Sequence, residues 1–217
     1  MNIPKYLAEL LGTFGIVFCG TGSIIINQQT NGSISHLGIA ITFGLIVMAM
    51  IYCFGHTSGA HFNPAVTLAL CLSKKWHWKD FLPYICSQAI GAFLASGLLK
   101  FLFPTNELLG TTLPIGPWWQ SFLLEVLLTY FLMLGILMMA FSNNKHANYT
   151  GLIVGMIVLT EALFAGPVCG ASMNPIRSIA PAIVSGHTEY IWLYISAPFS
   201  GAILAIPLWK LLIKNQF

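Results

Sequence analysis

Six runs of about 20 largely apolar residues, at about 6–27, 36–54, 81–103, 118–141, 149–166 and 190–213, leave this chain few ways to fold. Roughly that length is what a helix needs to cross the hydrocarbon core of a bilayer. Gly and Pro interrupt the runs, and polar residues do not alternate with apolar ones, so the spans read as helices and not as strands of a barrel. Only 7% of the residues are charged against 57% hydrophobic, far from the roughly 25% charge of a soluble domain. The first run carries Glu9, is too long for a signal-peptide core and has no small-residue cleavage site after it, so it belongs to the fold.

Of the nine Lys and Arg residues, seven (Lys5, Lys74, Lys75, Lys79, Lys145, Lys210, Lys214) fall at the ends of the chain or in the second-to-third and fourth-to-fifth connections. In a six-span chain all of these lie on one side, and the positive-inside rule makes that side cytoplasmic, with both termini on it. The connections at 28–35 and 104–117 carry no Lys or Arg and face outward. The net charge of +3 therefore reflects topology and not a nucleic-acid partner. Five scattered cysteines (Cys19, Cys53, Cys71, Cys86, Cys169) lack the spacing of a metal site or a disulfide framework, and no cofactor motif occurs.

The chain is an internal duplication. Residues 55–66, Gly-His-Thr-Ser-Gly-Ala-His-Phe-Asn-Pro-Ala-Val, align with residues 166–177, Gly-Pro-Val-Cys-Gly-Ala-Ser-Met-Asn-Pro-Ile-Arg, with five identities in twelve. Upstream, Glu9 in Ala-Glu-Leu-Leu-Gly-Thr-Phe matches Glu125 in Leu-Glu-Val-Leu-Leu-Thr-Tyr. The copies extend over about 1–103 and 118–217 of one membrane domain, 1–217. Each holds three spans, an odd number, so the second copy is inverted relative to the first. After the second and fifth spans come apolar stretches at 65–72 and 176–184, which reach only about 12–15 Å as helices. Two such half-helices entering from opposite faces meet near the midplane of a core roughly 30 Å thick.

Asn63-Pro64 and Asn174-Pro175 begin these half-helices, since Asn is a favoured N-cap and Pro a favoured first helical residue. With the Asn carbonyl oxygen holding the helix end, its amide NH2 is left to donate into a pore. Two such donors bind the oxygen of a passing water or alcohol, and two positive helix ends oppose cations and protons. Arg177 stands two residues beyond Pro175, where a cation opposes the helix dipole and a charge at membrane depth is expensive. Its counterpart in the first copy is Val66, so Arg177 reads as a donor and cation barrier at an outer constriction.

These residues resemble the major intrinsic protein family, the aquaporins and aquaglyceroporins, over essentially the whole chain. Ser-Gly-Ala-His-Phe-Asn-Pro-Ala-Val-Thr at 58–67 is similar to the first family signature, and Gly-Ala-Ser-Met-Asn-Pro-Ile-Arg-Ser at 170–178 to the second, with Ile176 in place of the usual Ala. That replacement is expected to alter the pore width slightly. The resemblance implies an all-α membrane protein of six transmembrane helices plus two re-entrant half-helices in an inverted repeat, a homotetramer in membrane lipid with one pore per subunit, and no cofactor. It also implies an outer filter at Phe43, Ala162, Ala171 and Arg177. Strict water channels of the family carry His at the position of Ala162, so the two alanines suggest a wider filter that passes glycerol, whereas Ser178 and Ala182 follow the water-channel pattern. The stretch Ala-Gly-Pro-Val-Cys-Gly-Ala-Ser-Met-Asn-Pro and the pair Tyr194-Ile195 are similar to the nodulin-26-like branch.

In the family, acids matching Glu9 and Glu125 hold the backbone of the pore loops. Glu161 has no repeat partner and either braces the loop before Asn174 or lines the pathway. His61 and His36 are candidates for the inner and outer mouths, and Cys169 lies in the second pore loop, either open to mercurials or buried. The expected function is a passive channel for water and small uncharged solutes such as glycerol, in a plasma membrane, excluding ions and protons. A strict water channel and a proton-coupled carrier using Glu9, Glu125 and Glu161 are the alternatives. Without a nucleophile and base pair or a metal cluster, the chain does not read as an enzyme.

Overall fold

The computed structural model describes residues 3–141 and 144–213, with side chains at all of these except 144–146. Lys214, on which the expected topology partly rests, lies outside the described residues, as do the extreme ends of the 1–217 domain, and Lys145 is described by its backbone alone. Among the described residues there are eight α-helices and no strand. They are α1 (Ile3–Gln29), α2 (Ser35–Ser58), α3 (Pro64–Leu72), α4 (Phe81–Leu102), α5 (Trp118–Phe141), α6 (Thr150–Cys169), α7 (Pro175–Ser185) and α8 (Ile191–Ile213). Short 3-10 turns at Trp78–Asp80 and Asn144–Tyr149 lead into α4 and α6. All but α3 and α7 are long and apolar enough to cross a membrane.

The long helices meet through their smallest residues. A Cβ on Gly91 of α4 would collide with the carbonyl of Leu10 in α1, and one on Gly201 of α8 with the carbonyl of Val126 in α5, so the same backbone contact occurs once in each half. Such close approach is how helices associate in lipid, where burying apolar side chains gives no advantage over leaving them in the bilayer. Outward faces are correspondingly apolar, with Leu45, Leu94, Phe131 and Phe164 all exposed.

Two helices run further than the sequence predicts. α2 continues past 54 to Ser58, and α6 continues past Gly166, through Pro167, to Cys169. The stop signal is Gly59 or Gly170, left-handed at φ +83° and +80°, whose N–H closes the last turn on Gly55 or Gly166. Pro167 in the final turn has no N–H for the Leu163 carbonyl, which lies 2.7 Å from His36 Nε2 instead.

The half-helices are exchanged between the halves. α3 buries Ala65, Val66, Ala69 and Leu70 in a core that contains Met133 and Leu137 of α5 and Ala202 and Ala205 of α8. α7 buries Ile176 and Ala180 with Val17 of α1 and Ala92 and Ala95 of α4. Neither half has a complete core alone.

Candidate functional site

The two pore loops repeat the same unusual backbone. In the first, Gly59, Ala60 and Phe62 have positive φ, and in the second Gly170, Ala171 and Met173 do. A non-glycine residue in this region costs about 1–2 kcal/mol, so two in each loop need compensation. Buried carboxylates supply it. Glu9 Oε1 accepts from His61 N (2.9 Å) and Ser58 Oγ (2.7 Å), and its Oε2 from Phe62 N (2.7 Å) and Gln88 Nε2 (2.8 Å). Glu125 accepts from Ser172 N (2.7 Å) and Met173 N (2.8 Å). Both acids are fully buried.

After each loop, Asn caps a half-helix. Asn63 is extended (φ −154°) and its Oδ1 accepts from Ala65 N at 2.9 Å, while Asn174 (φ −147°) accepts from Ile176 N at 3.2 Å. Pro64 and Pro175 take the first helical position. The amide groups differ from the expectation that they are wholly free. Asn63 Nδ2 donates to the carbonyl of Met173 (2.7 Å), and Asn174 Nδ2 donates to the carbonyl of Phe62 (2.9 Å). One N–H of each amide therefore ties the loops together, and one is left for a solute. The crossing joins residues 110 and 112 apart in sequence, which the local capping pattern does not show.

A cavity runs past this crossing, lined by Asn63 and Asn174, by the contacting pair His61 and Trp76, and by the contacting pair Phe43 and Arg177. Arg177 is 2% exposed; its guanidinium lies 4.9 Å over the Phe43 ring and its Nη1 donates to the Gly110 carbonyl at 2.9 Å. Arg177 Nε is buried with no partner. Ala171 lines the same cavity; Ala162 is buried in the cluster that contains Phe43 and Ala171, but it is not among the lining residues. Ile176 does not line the cavity either, because its side chain points into the α1–α4 core, so its effect on pore width is indirect.

His61 lines the cavity with Nδ1 3.2 Å from Thr67 Oγ1, and its ring packs against Trp76 (4.7 Å) and Tyr84 (4.9 Å). His36 lies elsewhere, with Nε2 2.7 Å from the Leu163 carbonyl. Glu161 is buried, is not a lining residue, and has an Oε2 with no partner. Cys169 is fully buried, its Sγ donating to Ala165 O at 3.5 Å. Among the described residues no His, Cys, Asp and Glu cluster has the makings of a metal site.

Sequence reasoning missed several residues that hold the loops. Tyr84 and Tyr194, both buried, donate to the carbonyls of Ser58 (2.6 Å) and Cys169 (2.8 Å), the last residues of α2 and α6. Their recurrence at the same place in the two copies was the available signal. Gln88, a polar residue in the middle of an apolar run, was another; Thr112 and Gly110, in an unpatterned connection, offered none.

A family model described as "Major intrinsic protein" matches residues 1–209. The chain is similar to "Aquaporin NIP1-1" of Zea mays, with 46% identity over 202 residues that make up 93% of this chain and 72% of that protein. It is also similar to "Nodulin-26" of Glycine max, with 40% identity over 202 residues, 93% and 74% of the two chains. Among solved structures, the aquaglyceroporin from Plasmodium falciparum superposes with a TM-score of 0.88 over 99% of each chain; at 24% identity that likeness concerns the fold.

Proposed function

Because this chain belongs to the major intrinsic protein family, whose members here are channels and not enzymes, we propose that it conducts water and small uncharged solutes such as glycerol passively while excluding ions and protons. One observation carries the reading. Asn63 and Asn174, from the ends of two half-helices, meet in a cavity wall with one amide N–H each free to bind a solute oxygen. Arg177, whose Nε has no protein partner, and Phe43 form the barrier to cations at one end, with the small side chain of Ala171 beside them on the cavity wall and Ala162 behind it. His61 stands at the opposite mouth.

A proton-coupled carrier using Glu9, Glu125 and Glu161 has less support, because Glu9 and Glu125 are both occupied by loop donors and Glu161 does not line the cavity. The distribution of lysines supports cytoplasmic termini and an outward-facing Arg177 end, in a cell membrane. The apolar outward faces suit lipid and a homotetramer, with one pore in each single-domain subunit.

The test is an osmotic step on liposomes containing the purified protein, read by light scattering. Rapid shrinkage with an impermeant solute and re-swelling with inward glycerol are the expected results, with no acidification of the lumen under a proton gradient. Water flux without re-swelling makes the chain a strict water channel, and flux that follows the proton gradient overturns the passive reading.

A further inference from the structure

The two half-helices are locked by different parts of the chain. In the first copy, Thr67 Oγ1 donates to the Asn63 carbonyl and accepts from Gln88 Nε2 at 3.1 Å, so α4 of the same copy completes the lock. The position of Thr67 in the second copy is Ser178, and there α8 supplies no such group. Thr112, from the connection between α4 and α5, donates to Ser178 Oγ at 2.8 Å. Ser178 pairs with Ser172 Oγ, which donates to the Asn174 carbonyl at 2.9 Å. A file of three hydroxyls thus leads from the connection to the Asn174 cap, and all three residues are buried.

The connection is fastened at further points. Gly110, whose carbonyl receives Arg177, has φ +71°, and a Cβ there would stand 2.7 Å from Thr21 Cβ. Thr112 Cγ2 is packed so closely on Gly170 that a Cβ on that glycine would come within 2.8 Å. Thr111 Oγ1 lies 3.1 Å from Ser185 Oγ, at the far end of α7, and Ile115 N donates to the Val168 carbonyl. Within three residues, 110–112, the connection holds the Arg177 side chain, the loop glycine and the hydroxyl file.

We propose that Thr112 is a positioning residue for the Arg177 end of the pore: its hydroxyl, through Ser178 and Ser172, fixes the Asn174 cap and with it the Arg177 guanidinium against Gly110, so that the connection between α4 and α5 sets which solutes enter. Thr112 touches no solute. Without its hydroxyl, Ser178 loses a donor, the file can turn toward other acceptors, and the opening beside Arg177 loosens. The inference rests on the channel reading above, and its test separates the two.

Thr112→Val keeps the shape and removes the hydroxyl, and Thr112→Ser restores it. In liposomes, T112V is expected to raise glycerol re-swelling relative to water flux by about threefold or more, the scale of one lost buried hydrogen bond, and T112S to return the ratio to that of the parent. If the parent passes only water, T112V is expected to admit glycerol. Ser178→Ala breaks the same file at its middle and serves if T112V does not fold. Hydrogen exchange in detergent needs no flux: T112V is expected to speed exchange of the amides at 170–178 and not those at 59–67. Absence of flux in the parent sinks the channel reading alone, because exchange still reports on the clamp. A folded T112V with the parent's ratio, or with the parent's exchange at 170–178, overturns the proposal.

Discussion

Both pore loops are held by a carboxylate and a tyrosine of their own copy, but the second leans in addition on the connection between the copies. Glu9 takes donors from the loop backbone, from Ser58 and from Gln88, whereas Glu125 takes the two backbone donors of its loop, and the Thr112 hydroxyl of the α4–α5 connection adds support through Ser178. The pattern is retained where both ends of a pore need the same geometry: the capping Asn, the left-handed loop residues, the tyrosine on the preceding helix end. It diverges where the mouths differ, with Arg177 against Val66 and Ser172 against His61. Duplication thus supplies the framework, and the departures from it carry the selectivity proposed above.

The sharpest way to break this comparison is to remove the carboxylates. Glu9→Ala orphans four donors at about 1–3 kcal/mol each, so we expect no monodisperse folded protein by gel filtration. Glu125→Ala orphans two and is expected to fold with a clearly lowered thermal midpoint; equal losses from the two variants would remove the asymmetry argued above. Next in size is the crossing. Asn63→Asp and Asn174→Asp each keep the cap acceptor but set a carboxylate against a carbonyl, and both are expected to cut water flux by about tenfold or more. Because the bonds are reciprocal, the effects should match, and a silent variant on one side would show that the loops do not share the task.

Arg177→Val makes the second copy resemble the first at Val66. It is expected to keep water flux and to raise proton leak by on the order of tenfold, about 1.4 kcal/mol of barrier, read with a pH-sensitive dye in the lumen; a leak unchanged from the parent assigns the barrier to the helix ends alone. The smallest change in flux concerns the Lys5–Asp80 ion pair (2.7 Å), which also receives the Tyr6 hydroxyl beside the first loop. Lys5→Met leaves the buried Asp80 carboxylate with Tyr6 alone and is expected to lower stability by about 1.5–3 kcal/mol while leaving flux alone, and a change in flux would link that pair to the His61 mouth.

Local chemistry made much of this legible in the sequence. The spans follow from apolar length, and the half-helices from Asn-Pro followed by a stretch too short to cross. Duplication identified Glu9 with Glu125 and isolated Arg177. What was hidden depends on contacts between distant residues. The amides of Asn63 and Asn174 looked free because their partners lie in the opposite copy, and Gly110 and Thr112 were anonymous because a connection has no periodicity to betray a buried side. The apolar runs stop about one turn short of the ends of α2 and α6, because left-handed Gly59 and Gly170, and not the loss of apolar character, place the helix stops.

The reciprocal bonds between Asn63 and Met173, and between Asn174 and Phe62, carry a consequence for biogenesis. When the ribosome has delivered α1 to α4, the cap of α3 has no crossing partner and its apolar face has no α5 or α8 to cover it. Membrane insertion of the leading half must therefore precede closure of its re-entrant segment, which waits until residues beyond 174 have left the exit tunnel. A nascent chain stalled after α4 should expose residues 59–63 to protease, and one released at full length should shield them.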